Sequence, residues 1–125
     1  RIAFWTAAGD EQLFDIYARR RAYENIMQKE DLEPIVVPSG EVEENGRTLQ
    51  ALISQGVTAC FCFNDWMALQ LCYLARQAKL EIPRDFSLAG IDDWPSEQTS
   101  QLTTSRFHYT EVGRHAVDAL LALLA

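Results

Sequence analysis

Thr58-Ala59-Cys60-Phe61-Cys62-Phe63 is an unbroken run of strand-forming residues, and Asn64-Asp65 follow it directly. A strand exposed on one face alternates apolar with polar residues, whereas a strand covered on both faces has no such need. The run therefore reads as a strand with helices above and below it. Asn64-Asp65 read as the start of the next helix, since short polar side chains cap the free N–H groups of a first turn. Working outward, three further runs share this character: Ile2-Ala3-Phe4-Trp5, Ile35-Val36-Val37 between two prolines, and Phe86 to Ile91. Stretches of helical length separate them, from about Glu11 to Lys29, Glu43 to Gln55 and Asp65 to Lys79, with a last one from about Tyr109 to Leu124. Strand alternating with helix implies an α/β fold: an open parallel sheet with helices on both faces and right-handed crossovers. Gly56 is placed to end the second helix. Pro83 falls in the loop before the fourth strand, where a missing N–H costs little. We find no internal repeat, no low-complexity linker and no second domain.

The 125 residues are enough for one domain, and a chain this long buries roughly two-thirds of its unfolded surface without disulfides or metals. Hydrophobic residues at 48% and charged residues at 23% exclude a disordered chain. Eleven basic against eighteen acidic side chains give a formal net charge of −7, a poor balance for direct contact with nucleic acid phosphates. Three cysteines, Cys60, Cys62 and Cys72, suggest reduced thiols and a cytoplasmic location. No apolar run reaches the ~18 residues of a membrane span, and no signal peptide is expected, since the first apolar run is short. The chain opens on a strand rather than on Met, so a piece of a longer protein is expected.

In open parallel sheets, ligands bind outside the carboxyl ends of the strands. Here the first strand runs into Thr6-Ala7-Ala8-Gly9-Asp10, the third into Asn64-Asp65, and the fourth into Asp92-Asp93-Trp94. Each group alone is explained by capping and turn chemistry; together, on one edge, they point to a site. In the first helix Ile16, Tyr23, Ile26 and Met27 form an apolar stripe, and Arg19 lies at its edge while Arg20 and Arg21 read as a solvated face. A guanidinium there either pairs with Asp15, four residues earlier, or reaches a ligand. Arg supplies donors, Asp acceptors and Asn one of each, which is the set that ring hydroxyls require. Trp94 or Phe14 either stacks on the apolar face of a sugar or packs in the ordinary way. No catalytic residue, metal ligand or cofactor is indicated.

Four strings then acquire a joint meaning: RIAFWTAAGD (1–10) with Arg19 before Ala22-Tyr23, VTACFCFNDWMALQ (57–70), LEIPRDFSLAGIDD (80–93) and QLTTSRFHYTEVGRHAVDALLALL (101–124). In this order and spacing they closely resemble the LacI/GalR family of bacterial transcription repressors. The resemblance implies a core of type I periplasmic-binding-protein fold, with two subdomains and a small-molecule effector, often a sugar, in the cleft between them. Residues 1–106 correspond to the C-terminal subdomain, and 107–125 to a return helix that packs on the N-terminal one. By motif, Arg19, Asn64 and Asp92 hold effector hydroxyls, and Asp15 faces the effector too. DNA is read only by a helix-turn-helix headpiece outside this chain, and no membrane is involved. Three departures stand out. Gly40-Glu41-Val42 occupies the place of Gly-Asp-aromatic, so the usual stacking wall is missing; Ala22 replaces a Gly; and no Pro precedes Leu102.

The same resemblance makes the helix from Asp65 part of a homodimer interface. Met67, Leu71, Leu74 and Ala78 form its core stripe, and Trp66, Leu69 and Tyr73 a second apolar side. Either a second copy or another helix of the same chain covers that side. The final helix is apolar over most of its circumference, through Val112, Ala116, Val117, Ala119, Leu120, Leu121, Leu123 and Leu124. Without its subdomain partner it is expected either under a second copy or folded back on its own sheet. Rival readings fare less well. A phosphoacceptor receiver domain needs an acidic pair after the first strand and a Lys after the last. A thiol enzyme using Cys60 or Cys62 with His108 or His115, or a zinc site, places its sulfurs in the most apolar strand. A sugar-binding protein of a transport system shares the fold and remains the alternative.

Overall fold

The computed structural model describes residues 1–95 and 102–124. Five strands form one sheet, β1 (Ile2–Thr6), β2 (Ile35–Pro38), β3 (Ala59–Cys62), β4 (Ser87–Asp92) and β5 (Thr103–Arg106). All neighbours are parallel, in the order β2-β1-β3-β4-β5. The helices are α1 (Phe14–Lys29), α2 (Val42–Ser54), α3 (Asp65–Gln77) and α4 (Tyr109–Leu124). The order reverses between β1 and β3, which places a topological switch point, and the crevice that goes with it, at their carboxyl ends.

The open parallel α/β sheet is as expected, with a fifth strand that sequence patterning did not reveal. Thr103-Thr104-Ser105-Arg106 is polar because β5 lies at the sheet edge. The helical stretch expected from Glu11 is interrupted: a 3-10 turn at Asp10–Gln12 ends in extended backbone at Leu13, and α1 begins at Phe14.

Each face has its own core. Ala3 and Trp5 of β1, Cys60 and Cys62 of β3 and Leu88 of β4 face Leu49 and Leu52 of α2 and Met67, Ala68, Leu71 and Ala75 of α3. On the opposite face Phe4 packs with Tyr23 and Met27 of α1, its ring stacked 5.4 Å from that of Tyr23. Two stripes need correction. Ile26 is 62% exposed, so α1 buries only Tyr23 and Met27. In α3 the buried position is Ala75, while Ala78 is the helix's half-buried end. Gly56, at φ 82°, closes α2 as expected: its N–H donates to Ile53 and that of Val57 to Leu52, satisfying carbonyls of the last turn.

α4 has no place in either core. None of its described residues is buried, and Leu123 and Leu124 are each 84% exposed. It does not fold back on the sheet. Among the described residues no helix is long and apolar enough to cross a membrane.

Candidate functional site

The loop after β1 is held from within. Thr6, itself buried, donates its hydroxyl to Asp10 at 2.8 Å, and Arg20 reaches the same buried carboxylate at 3.0 Å. Arg20 also donates to Glu24 at 2.8 Å and sits 3.5 Å from Glu11. It is therefore not part of a solvated face. A buried carboxylate needs such a partner, and the network pins the loop to the first turns of α1, where Arg19 lies.

Arg19 is turned to the carboxyl edge of the sheet, and its side chain is only 16% exposed. Nη1 donates to the carbonyl of Phe63 at 2.5 Å, just past the end of β3 and one residue before Asn64. Nη2 lies 3.5 Å from Asp15 and 3.6 Å from Asp92. The pair with Asp15 and the approach to the strand ends thus coexist rather than exclude one another. Asn64 accepts the N–H of Met67 at 2.8 Å and caps α3. The capping reading is correct for its oxygen; its amide nitrogen makes no hydrogen bond among the described residues.

Asp92 ends β4 in an unusual conformation. Its φ is 116° and that of Asp93 is 51°; such left-handed positions cost a non-glycine residue about 1–3 kcal/mol and persist only when the surroundings enforce them. Asp65 does the enforcing. Its carboxylate is buried and accepts the Thr104 hydroxyl at 2.6 Å and the Trp94 N–H at 3.0 Å, while the Asp93 N–H donates to Thr104 at 3.2 Å. Sequence reasoning placed Asp65 at the start of the helix and among the polar groups of this edge, but gave it no partner. The distant partners, 29 and 39 residues away, leave no local signal.

The segment after β5 completes the cluster, and sequence reasoning also missed it. The Tyr109 hydroxyl donates to Asp92 at 3.2 Å, and the Phe107 ring lies 5.5 Å from the Arg19 guanidinium and 5.8 Å from the Tyr109 ring. Arg106 pairs with Asp93. A hollow of about 830 Å³ runs along Asp92, Asp93, Trp94, Arg106 and Tyr109. No aromatic stands at the loop after β2. There Gly40 is held by buried Asn45, which accepts its N–H and donates to its carbonyl and to Gln70. Trp94 is 67% exposed and Phe14 87%, so neither is a core residue. The thiols are elsewhere: Cys60 and Cys62 are buried, and burial pushes Cys62 well above and Cys72 above the usual thiol range. Among the described residues no cluster of potential metal ligands occurs.

Arg19, Asp15, Asp92 and the start of α3 thus meet at one sheet edge, and Asp92 also lines the hollow. The signature of the periplasmic binding protein-like domain matches residues 1–125. The chain belongs to the periplasmic binding protein-like domain family. Among curated relatives of this periplasmic binding protein-like domain, the arabinose metabolism transcriptional repressor of Geobacillus stearothermophilus is 36% identical over 69 residues, covering 54% of this chain and 19% of that protein. The transcriptional repressor PurR of Vibrio campbellii is 33% identical over 111 residues, covering 84% and 32%. A solved LacI-family transcriptional regulatory protein from Corynebacterium glutamicum superposes with a TM-score of 0.74 at 29% identity, covering 98% of this chain and 48% of that one. The resemblance to LacI/GalR regulators is borne out, and the transport-protein alternative is not favoured. The chain spans about a fifth to a third of these curated relatives and about half of the solved one.

Proposed function

We propose that this chain is the C-terminal subdomain of the effector-binding core of a LacI/GalR-type transcriptional repressor. On this reading residues 1–106 form the subdomain, and 107–125 carry the chain back to a partner subdomain on which α4 packs. DNA is contacted by a helix-turn-helix headpiece outside these residues, and the protein works in the cytoplasm without cofactor or catalysis. The observation that carries the reading is the meeting of Arg19, Asp15 and Asp92, one residue from Asn64, at the switch-point edge of the sheet. A ring hydroxyl donates to Asp92 or Asp15 and accepts from Arg19 or the Asn64 amide. Burying these contacts between two subdomains favours the closed arrangement, and closure alters the spacing of the headpieces. The name of the arabinose metabolism repressor supports a sugar as effector. Homodimerisation through the α3 side bearing Trp66, Leu69 and Tyr73 is part of the same proposal.

A thermal-shift screen of the full-length protein against sugars, sugar phosphates and nucleobases tests this reading, since a ligand of the native state raises its stability by mass action. One compound should raise Tm, and Arg19→Ala should weaken its binding about 10- to 100-fold, the worth of a charge-assisted hydrogen bond. Binding that survives both Arg19→Ala and Asp92→Asn unchanged would show that the effector sits elsewhere.

A further inference from the structure

We infer that the Tyr109 hydroxyl is an internal competitor for this site: it takes the Asp92 oxygen that a donor group of the ligand must take, and so weakens binding. The inference rests on the effector reading above and concerns the regulation of that site, not the class of its ligand. The surroundings of Asp92 Oδ1 carry it. That oxygen faces Arg19 Nη2 across 3.6 Å, too wide for a direct hydrogen bond. A hydroxyl placed between them accepts from the guanidinium and donates to the carboxylate. The Tyr109 hydroxyl already donates to the same Oδ1, at 3.2 Å. Desolvation and the Asp92 carboxylate hold this phenol above its usual range, with Arg19 opposing and Asp15 adding. All three charged side chains of the site therefore act on it.

The chain delivers this hydroxyl from close by. Tyr109 is the first residue of α4, three residues past the end of β5. Its N–H donates to the Phe107 carbonyl at 2.9 Å, and its ring lies 5.8 Å from the Phe107 ring. The Phe107 ring in turn lies 5.5 Å from the Arg19 guanidinium, and Arg106 pairs with Asp93. The segment is thus anchored on both sides of Asp92, which presents the phenol at high effective concentration. Tyr109 is nevertheless 60% exposed, so the contact is weak enough to be exchanged for a ligand. An internal group of this kind lowers the apparent affinity by the fraction of molecules in which it is engaged. Contacts that the rest of the protein makes with a ligand are the same with Tyr and with Phe at this position, so they cancel from a comparison of the two.

The test titrates full-length wild type and Tyr109→Phe calorimetrically with D-glucose, D-galactose, L-arabinose, adenine and uracil. Phe keeps the ring and removes only the oxygen. At least one of these probes should bind Tyr109→Phe about three- to tenfold more tightly than wild type, as the loss of a hydrogen-bonded competitor requires. The sign is diagnostic, because a phenol that only braces the segment, or that itself holds the ligand, makes the variant bind more weakly. Equal or weaker binding by Tyr109→Phe, for a probe whose binding Arg19→Ala weakens, overturns the inference and leaves the effector reading standing. If no probe binds either protein, or if binding ignores Arg19→Ala, the effector reading fails and the inference falls with it.

Discussion

Gly90 in the middle of β4 is required for space rather than for backbone freedom. A Cβ built there runs into Asp65 Oδ1 and comes within 3.1 Å of the Asp65 Cα. Asp65 cannot retreat, because its carboxylate holds Thr104 and the Trp94 N–H. Gly90→Ala should therefore cost about 1–3 kcal/mol, as overpacking does in a well-filled core, and should loosen the turn that presents Asp92. Thermal unfolding of the full-length protein will show it as a fall of several degrees in Tm; a Tm equal to wild type would mean that the clamp is not rigid. At this scale the site was half legible. Arg19 and Asp92 could be named because a charge on an apolar stripe and an acid after a buried strand both need a reason. Arg20, Phe107 and Tyr109 could not, nor could the clamp that Asp65 forms, because the partners lie far along the chain or the residue types are common at surfaces. Asn64 was legible twice over, as cap and as candidate, and the cap uses only its oxygen.

Among the elements, α1 is secured to the sheet by one hydroxyl. Tyr23 donates to the Ile2 carbonyl at 2.8 Å and accepts the Ile35 N–H at 2.9 Å, so it ties β1 to β2 from the helix that crosses them. Tyr23→Phe leaves both backbone groups without this partner, and a loss of about 1–2 kcal/mol is expected at neutral pH. Burial raises the Tyr23 hydroxyl above its usual value of about 10, with the backbone bond to Ile35 opposing. A folded value above the unfolded one means that the neutral hydroxyl stabilises fully below about pH 10, and that this is lost as pH rises through the folded value. Urea unfolding should therefore show a constant gap between wild type and Tyr23→Phe from pH 7 to 9 that closes above pH 10. A gap that persists at high pH would show that the ring packing, not the hydroxyl, carries the effect. The strands buried on both faces were legible from composition alone. β5 was not, since an edge strand of Thr, Thr, Ser and Arg has the pattern of a loop, and neither was the break at Leu13, where extended backbone interrupts an otherwise helical run.

At the scale of the whole molecule, two apolar faces lie uncovered among the described residues. One is α4, with no buried residue. The other lies along α3, where Trp66 is 77% and Tyr73 58% exposed beside a groove of about 1030 Å³ that also takes in Leu69, Val42, Ile82 and Leu102. Patches of this kind on a folded chain mark places where something else binds. The apolar excess of both was readable from helical spacing; what covers them is not written in the spacing. On the proposed reading the two faces have different occupants: a second copy covers α3, and the rest of the same protein covers α4. Sedimentation separates the cases. Full-length protein should run as a dimer, and Leu69→Glu with Tyr73→Glu should reduce it to a monomer, because two buried carboxylates facing their symmetry mates cannot be accommodated in an isologous interface. Leu120→Glu with Leu123→Glu should instead lower the unfolding temperature while leaving the mass of the folded species unchanged, since that face is buried within one chain. If the α4 variant dissociates the dimer and the α3 variant does not, the two faces have been assigned the wrong way round.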